Sequence, residues 1–541
     1  MSLRLAAALA FLGSLLFGLG FCASLPPFEG FDEPAHFSYI QQIAEIGTLP
    51  RMTDPLSAEV EDYIRTGPGP ASQAQRHSYK EFFAGPADSI RAVAAAVHAP
   101  RDPSRGWRPG VGYNWEGQHP PLYYALLAPI DALSKGWSLG GQLIALRAIS
   151  LFLAWAGLVI ATVSAWRWSA VSTGSPLVVL APALWPALMP MWFPEMARLG
   201  NDSLVLLLAA LTVMMLRRVL GAKAKALDSI ALGFVCGLGL LTKATYLPVV
   251  AALALFLAYR AWSARRDPVR LHGALRALVL FSLTTIVIAG WWYAKSVIEN
   301  GSIVASYDDV ILAQKGGWAK NLPEHFSWED FLRNVGAISV TFIWSGTWSL
   351  IPTPLRTLVP IWILLMVIAF AWIWRLRRIR QISASEGVAL LVLVFFALGL
   401  LQANLVNIVA NGTFAIPAWY LHSLVPIFAP IVGYGLAEAT RWRAPRPLIV
   451  GLVVYPLLFL PFATTWLLLW YAGCFDWPAG PLHFSSAVAC GLGPSELLQR
   501  FAVLADPGLA IPLLLAGWLA MLAATVVIVR RCFYAQTGAA S

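Results

Sequence analysis

Apolar runs close to the length of a bilayer crossing recur along the whole chain, and short polar stretches separate them. Such runs include Leu143–Ala165, Leu177–Phe193, Leu204–Leu216, Ile361–Trp374 and Ile511–Val529. A transmembrane helix needs about 20 mostly apolar residues, whereas the elements of a soluble protein alternate apolar and polar faces. The pattern therefore predicts an all-α polytopic membrane protein with about 12 transmembrane helices.

Composition strengthens this prediction. Of the 541 residues, 58% are hydrophobic and only 12% are charged, and the mean hydropathy is +0.67. Soluble domains carry about 25% charged residues. The formal net charge of +10 would suit a nucleic-acid partner, but the basic residues fall in short clusters between apolar runs, as is typical of membrane proteins. We therefore expect membrane lipids, and no nucleic acid, among the partners.

The basic clusters set the expected orientation, because short cytoplasmic loops are enriched in Lys and Arg. Arg4 precedes the first apolar run and places the N-terminus in the cytoplasm. The other clusters then fall on the same side: Arg167; Arg217, Arg218, Lys223 and Lys225; Arg260, Arg265, Arg266 and Arg270; Arg375, Arg377, Arg378 and Arg380; Arg441, Arg443 and Arg446; Arg530 and Arg531. We expect a multi-pass protein of the inner (plasma) membrane with both termini cytoplasmic. Residues 1–530 form one integral-membrane domain and residues 531–541 a cytoplasmic tail.

Three long loops are expected on the extracytoplasmic side, at residues 26–141, 298–355 and 471–508. The first is polar, rich in Pro and Gly, and carries interfacial helices and most of the carboxylates. The two cysteines of the third loop, Cys474 and Cys490, have two interpretations. They are unrelated thiols, or they form a disulfide if the loop faces an oxidising compartment.

The segment His119–Leu133 decides the orientation of everything after it. As a full span it would move the cluster Arg217–Lys225 outside. It is short, opens with two prolines and contains Asp131, so we interpret it as an interfacial or half-embedded helix. The segment Phe331–Leu355 leaves the number of spans open by one or two. Leu3–Leu25 is either a signal peptide or an uncleaved first span, and we favour the span.

The first candidate chemistry follows this span directly, at Asp32, Glu33 and His36. One carboxylate at the membrane surface suits a general base that acts on an acceptor hydroxyl or amine. The other, with His36, suits a divalent metal or orients the base. The structural alternative is an acidic N-cap, since Asp32 precedes a helical pattern that runs to Ile46.

A second candidate lies at Glu116 and His119, directly before Pro120 and Pro121. A carboxylate and an imidazole three residues apart can share a ligand or a phosphate. The aromatic belt of the membrane interface explains the tyrosines that follow. It does not explain the acid and the histidine.

Three cations are candidates for contact with a lipid phosphate. Arg198 lies with Asp202 in the segment Glu195–Ser203, Lys243 stands alone between two apolar runs, and Arg147 interrupts another run. A cation at the interface can bind phosphate as a point charge. The alternatives are a surface ion pair between Arg198 and Asp202, and snorkelling side chains at Lys243 and Arg147.

The order of these motifs along the chain is informative. It runs through Asp32-Glu33, His36, His119-Pro120-Pro121-Leu122-Tyr123-Tyr124, Asn201-Asp202, Leu240-Leu241-Thr242-Lys243 and Trp291-Trp292-Tyr293. This ordered set resembles the GT-C superfamily of integral-membrane glycosyltransferases, which includes protein O-mannosyltransferases, the aminoarabinose transferase acting on lipid A and core sugar transferases of rhizobia. The stretch Asp32–Phe37 also resembles an uncharacterised family of bacterial membrane proteins.

The resemblance implies that a sugar moves from a polyprenyl-phosphate donor to an extracytoplasmic acceptor, which is a glycolipid, a polysaccharide or a protein. Asp32 or Glu33 maps to the catalytic base or a metal ligand. Contacts with the donor phosphate or with a divalent metal (Mg, Mn or Zn) are expected from the other candidates: His36, Glu116, His119, Asp202, Lys243, Arg147 and Arg198. Of these, Glu116 and His119 are the expected metal ligands.

Two other functions stay open. A transporter or flippase for a lipid-linked glycan predicts ionisable residues at mid-membrane depth and inverted repeats. A non-catalytic membrane assembly subunit would keep the fold without the chemistry. Some GT-C relatives carry Gly-Arg-Tyr late in the chain, where this sequence reads Asn411-Gly412-Thr413-Phe414. The resemblance therefore transfers no arginine role to that stretch.

Overall fold

The computed structural model describes residues 2–70, 77–104, 106–169, 175–304, 306–351, 353–412, 417–442, 444–474 and 490–534. These residues are mostly helical, with one antiparallel sheet of β1 (Pro55–Ser57) and β2 (Pro109–Tyr113). Their α-helices are α1 (Leu3–Ser24), α2 (Glu33–Ile46), α3 (Ala58–Thr66), α4 (Tyr79–Ala84), α5 (Ala87–His98), α6 (Leu122–Leu133), α7 (Leu139–Ser169), α8 (Pro176–Leu188), α9 (Trp192–Met196), α10 (Asp202–Val219), α11 (Ala226–Leu240), α12 (Leu247–Ser263), α13 (Pro268–Asn300), α14 (Tyr307–Gln314), α15 (Trp318–His325), α16 (Trp328–Ile343), α17 (Val359–Ile379), α18 (Ala384–Asn411), α19 (Val425–Ala439), α20 (Arg446–Tyr471), α21 (Pro494–Leu504) and α22 (Pro507–Val529).

Several helical stretches of the described residues are long and apolar enough to cross a bilayer. They are Leu3–Ser24, Leu139–Arg167, Ala244–Ser263, Pro268–Asn300, Leu355–Ile379, Ala384–Asn411, Ala418–Ala439, Arg446–Tyr471 and Pro507–Tyr534. Three shorter apolar helices, α6, α8 and α11, accompany them. A helix satisfies its backbone hydrogen bonds internally, as an apolar bilayer requires. The all-α polytopic membrane architecture is confirmed, whereas the count of about 12 spans stays a prediction.

Basic residues gather at one end of the helix bundle, which we call the basic end. The Arg4 guanidinium lies 5.5 Å from the centroid of the Trp166 ring, so the start of α1 is next to the end of α7. Arg217, near the end of α10, donates a 3.1 Å hydrogen bond to Ser164 of α7. The two clusters that the sequence expects on one side of the membrane are therefore neighbours in space.

The long polar segments meet at the other end, which we call the loop end. The backbone N–H of Trp348 donates to Glu29 O (3.0 Å), and that of Asp506 donates to Ala23 O (3.1 Å). These bonds join the segments before α17 and α22 to the end of α1. Helices α2 to α5 and the small sheet belong to this end.

Helix α6 does not cross the bundle. Leu122 N at its start donates to Leu241 O (3.1 Å), and Asp131 near its end accepts from Gln142 Nε2 (2.9 Å) at the start of α7. A helix of 12 residues rises about 18 Å, well short of the roughly 30 Å of the hydrocarbon core. Both ends of α6 lie at the loop end, and its placement as an interfacial or half-embedded helix stays a prediction.

Helix α1 packs lengthwise against α22. A Cβ atom on Gly13 would lie 2.7 Å from Met521 N, and one on Gly20 would lie 2.7 Å from Leu514 N. Only residues without a side chain let two backbones approach so closely, which is common where membrane helices pair. Helix α1, for which the sequence allows a signal peptide or a span, thus contributes to the core of the bundle.

A disulfide joins Cys474 and Cys490 at the loop end. Of the two interpretations that the sequence leaves open for these cysteines, the structure has the paired one. The other three cysteines of the chain are buried and free. Residues 475–489, between the paired cysteines, lie outside the described residues.

Candidate active site at the loop end

Four separate segments bring most of the predicted site residues together at the loop end. They are the start of α2, the turn Trp115–Gln118, the stretch from α9 to the start of α10, and the turn after α11. We call the resulting group the loop-end cluster: Asp32, His36, Glu116, His119, Glu195, Arg198, Asp202 and Lys243. All eight side chains are ionisable, yet only Asp32 and His119 are more than slightly exposed.

Arg198 is the centre of the cluster. Its guanidinium donates two hydrogen bonds to Glu195 (3.1 and 2.9 Å) and one to Asp202 (3.0 Å). It also donates to Phe31 O (2.9 Å) and to His36 Nε2 (3.3 Å). Because a guanidinium only donates, Nε2 of His36 accepts, and the ring is neutral with its proton on Nδ1. Burial and the Arg198 charge hold the pKa of His36 well below its ordinary value.

Lys243 and Asp202 form the second ion pair of the cluster. Lys243 Nζ lies 2.6 Å from Asp202 Oδ2 and 4.2 Å from the centroid of the Tyr420 ring. Asp202 begins α10, where the helix dipole favours a negative charge. Within the described residues, its other oxygen and the side-chain oxygen of Asn201 are buried without a partner. A buried acceptor without a donor is costly, so a ligand hydroxyl or water would be stabilised next to Lys243.

Glu116 joins two histidines and a tyrosine. Its Oε2 accepts from the Tyr124 hydroxyl (3.0 Å) and lies 3.2 Å from His36 Nδ1 and 3.3 Å from His119 Nε2. Burial, helped by the charge of Asp32, raises the pKa of Glu116 to about 8. Burial is also the main reason that the pKa of His119 falls to about 3. This side of the cluster is therefore uncharged near neutral pH.

Asp32 has a different environment from the other acids. It is the only residue of the stretch 20–42 that is not buried. Its φ angle is +57°, in the left-handed region, and its side chain makes no capping bond to α2. Instead Oδ1 accepts a 2.9 Å hydrogen bond from Trp115 Nε1. Partial enclosure raises the pKa of the Asp32 carboxyl, although the charges of Arg198 and Lys243 oppose this. Strained backbones of this kind cluster at functional sites.

Glu33 and Arg147 form a closed pair beside the cluster. Nε and Nη2 of Arg147 donate to the two oxygens of Glu33 at 2.7 and 2.5 Å, and Leu199 N adds a third bond at 3.1 Å. Arg147 also donates to three carbonyl oxygens near the end of α1, so each of its N–H groups has an acceptor. This geometry ties α1, α2 and α7 together. Catalysis by Glu33 and phosphate contact by Arg147 stay predictions, and the geometry does not favour either.

The predicted metal ligands Glu116 and His119 lie together but do not complete a metal site. Within the ranges that the structure covers, no group of three or more His, Cys, Asp or Glu side chains is arranged to hold a metal ion. A zinc site takes about three or four protein ligands, of which Glu116 and His119 supply two. A divalent cofactor stays a prediction, and no chemical step is derived through one.

Four residues that were not predicted as site residues take part in the site. Glu195 lies three residues before the arginine of the cluster, on the same face of a helical turn, so its spacing is a usable signal. Trp115 and Tyr124 flank the second motif and look like ordinary interfacial aromatics. Tyr420 comes from a late segment that no motif connects to the first loop. Residues 413–416, which include part of the divergent late stretch, lie outside the described residues.

The arrangement combines a partly exposed carboxylate with two buried cations and uncharged histidines. A carboxylate at such a position can accept a proton from a bound hydroxyl. The fixed cations favour negative charge that develops nearby during a reaction. The cluster therefore suits a transfer reaction in which a hydroxyl loses its proton while an anion departs.

The Glu116 carboxyl predicts how stability changes with pH. Its pKa is about 8 in the folded protein against an ordinary value of 4.5, so the folded state holds a proton that the unfolded state releases. Stability therefore falls as pH rises through this window, by up to about 1.4 kcal/mol per pH unit. We expect Glu116→Gln, which has no proton to release, to show a flatter fall in thermal unfolding of the detergent-solubilised protein.

The exposed Glu329 provides the control for this measurement, because Glu329→Gln removes a carboxylate that pairs only at the surface. This variant should keep the slope of the wild-type protein between about pH 5 and pH 8. Equal slopes for the wild type and Glu116→Gln would show that Glu116 does not hold a proton.

Comparisons with solved structures give only weak similarity. ArnT from Cupriavidus metallidurans bound to undecaprenyl phosphate is 15% identical, with a TM-score of 0.45 over 95% of this chain and 77% of that chain. ArnT from the same organism in the apo state is 16% identical, with a TM-score of 0.37 over 76% of this chain and 67% of that chain. Scores this low carry no inference about this protein.

A comparison with protein families, in contrast, identifies the family of this chain. No curated protein matches the sequence. The model of a family described as "Predicted membrane protein (DUF2142)" matches residues 15–415. That range is well over half of the chain and includes every member of the loop-end cluster. The chain belongs to the DUF2142 family of predicted membrane proteins.

Proposed function

We propose that this protein is a membrane glycosyltransferase that moves a sugar from a polyprenyl-phosphate donor to an extracytoplasmic acceptor. The observation that carries the proposal is the loop-end cluster itself. It places a partly exposed carboxylate, Asp32, within electrostatic reach of Arg198 and Lys243, where apolar helices end. The ordered motifs, which resemble the GT-C superfamily, add support.

A lipid-linked sugar donor demands this combination of surroundings. Its polyprenyl tail needs apolar helix surface, and its phosphate needs a cation at the depth where the helices end. Lys243 suits this role because Asp202 is its one hydrogen-bond acceptor among the described residues, and an ammonium has three N–H groups. Arg198 directs all its N–H groups to protein acceptors. It therefore acts through its charge rather than by direct contact.

The proposed reaction balances as a single displacement. The acceptor O–H gives its proton to the Asp32 carboxylate, and the acceptor oxygen forms a bond to the anomeric carbon of the sugar. The bond between this carbon and the phosphate oxygen breaks, and its electron pair stays on the departing polyprenyl phosphate. Lys243 and Arg198 stabilise the added negative charge, which is commonly the largest catalytic contribution.

The proposal also assigns the sides of the membrane. The loop end is extracytoplasmic, and the basic end and both termini are cytoplasmic, in an inner (plasma) membrane. The basic clusters support this assignment through the positive-inside rule. The Cys474–Cys490 disulfide supports it as well, because disulfides persist in oxidising compartments.

Cysteine labelling in intact cells checks this orientation. Val111 at the loop end is 91% exposed and Val269 at the start of α13 is 83% exposed. We expect a membrane-impermeant maleimide to label Val111→Cys in whole cells and to label Val269→Cys only after permeabilisation. The wild-type protein is the control, since its free cysteines are buried. Labelling of Val269→Cys alone in intact cells would reverse the assignment.

Reconstitution of the full-length protein tests the function. Proteoliposomes receive a polyprenyl-phosphate sugar with a labelled sugar, together with envelope acceptors from cells that lack the protein. The expected result is labelled acceptor and an equal amount of free polyprenyl phosphate, neither of which forms in protein-free liposomes. Movement of labelled donor across the bilayer with no new glycosidic bond would contradict the proposal and favour a flippase.

A further inference from the structure

A polar cavity lies at the basic end, opposite the loop-end cluster. It has a volume of about 350 Å³ and lies between the ends of α10 and α12 and the starts of α11 and α13. Four basic side chains line it: Lys225, Arg260, Arg270 and Arg276. None of the described residues that line the cavity is acidic.

The nearby acids balance only part of this positive charge. Asp267 forms an exposed ion pair with Arg270 (3.1 Å). Asp228 accepts a hydrogen bond from the backbone N–H of Lys225 (2.7 Å) at the start of α11. Among the described residues, no carboxylate forms an ion pair with Arg260. Like charges held close together repel one another, so a bound anion would stabilise this end of the bundle.

The walls of the cavity place it at the depth of lipid headgroups. Apolar side chains such as Val219 and Leu257 line it beside the basic ones. Next to Arg260 on α12, Tyr259 and Trp262 are 59% and 60% exposed, as expected for aromatics of the membrane interface. The cavity thus combines basic side chains with neighbouring apolar helix surface that suits contact with lipid tails. A soluble anion would use only the first of these features.

We propose that this cavity binds the phosphate headgroup of an anionic membrane lipid. Arg260 and Arg276 bind the phosphate, and the acyl chains extend along the exposed apolar faces of α12 and α13. Basic pockets between transmembrane helices on the cytoplasmic side recognise such headgroups. The inference rests on the basic end alone, so it does not depend on the proposed transfer reaction.

Lipid binding to matched double variants tests the proposal. Full-length protein, delipidated in detergent, is titrated with phosphatidylglycerol in mixed micelles. The test variant is Arg260→Gln/Arg276→Gln. The control is Arg265→Gln/Arg266→Gln, which removes the same charge from exposed positions that do not line the cavity. Each basic residue near an anionic lipid changes affinity about fivefold, so the test variant should bind about 30-fold more weakly and the control should bind like the wild type.

Two further measurements keep the outcome clear. Inorganic phosphate should bind the wild type far more weakly than phosphatidylglycerol does, because it lacks the acyl chains. Arg260→Lys/Arg276→Lys keeps the charge and should keep most of the affinity, which covers the case in which the glutamine variant does not fold. Equal losses in the test and control variants, or equal binding of inorganic phosphate and phosphatidylglycerol, would overturn the proposal.

Discussion

Replacing Asp32 with Asn should reduce sugar transfer by about 10²- to 10⁴-fold, the usual contribution of a general base. The change removes the proton acceptor but little else. Asn tolerates the left-handed backbone that Asp32 adopts. Its side-chain oxygen can still accept the hydrogen bond from Trp115 Nε1. We therefore expect normal expression and thermal stability together with a strongly reduced initial rate of transfer.

A matched control separates this effect from a general loss of acid. Asp88 lies in the same long loop, where it forms an exposed ion pair with Arg91. Asp88→Asn should leave the rate unchanged within about twofold, because surface ion pairs contribute little. If Asp32→Asn formed labelled acceptor at the full rate, Asp32 would not be the base. The proposed reaction would then need a different residue as proton acceptor.

Replacing Arg147 with Met should destabilise the protein by about 3–5 kcal/mol, the usual cost of leaving one partner of a buried ion pair alone. Glu33 is fully buried and receives two hydrogen bonds from Arg147. Without them its charge has no compensating cation in contact. Three carbonyl oxygens near the end of α1 also lose a hydrogen bond. Unfolding of the detergent-solubilised protein measures this loss.

The double variant Glu33→Gln/Arg147→Met shows whether the pair is structural. Removing both charges leaves no unpaired ion, so the double variant should recover much of the stability. Arg333→Met is the control, because Arg333 forms exposed ion pairs with Glu329 and Asp330, which contribute about 0–1 kcal/mol. A double variant no more stable than Arg147→Met alone would argue against a structural pair.

Together these variants distinguish the role of Asp32 from the role of its neighbour Glu33. Asp32 and Glu33 are equivalent in the sequence, since both are acids directly after the first span. In the structure one is partly exposed beside cations and the other is closed within an ion pair. Loss of transfer without loss of stability should mark Asp32. Loss of stability should mark the Glu33–Arg147 pair.

The sequence alone predicts the class of protein and the separation of a basic end from a loop end of the helix bundle. Hydrophobic length and clustering of basic residues are local properties, and a bilayer acts on each segment separately. For the same reason the sequence could bring Asp32, Glu116, Asp202 and Lys243 to one layer. Each of them lies at one end of an apolar run, and the expected topology places those ends on the same side of the membrane.

Only the tertiary structure decides what each of these residues does. Glu33 and Arg147 are 114 positions apart, and no local pattern shows that they are paired. No local pattern shows either that Lys243 donates only to Asp202 among the described residues, or that every N–H group of Arg198 has an acceptor. A role in catalysis depends on which partners surround a charge and how much water reaches it. Those are properties of the packed bundle, which places side chains from distant segments in contact.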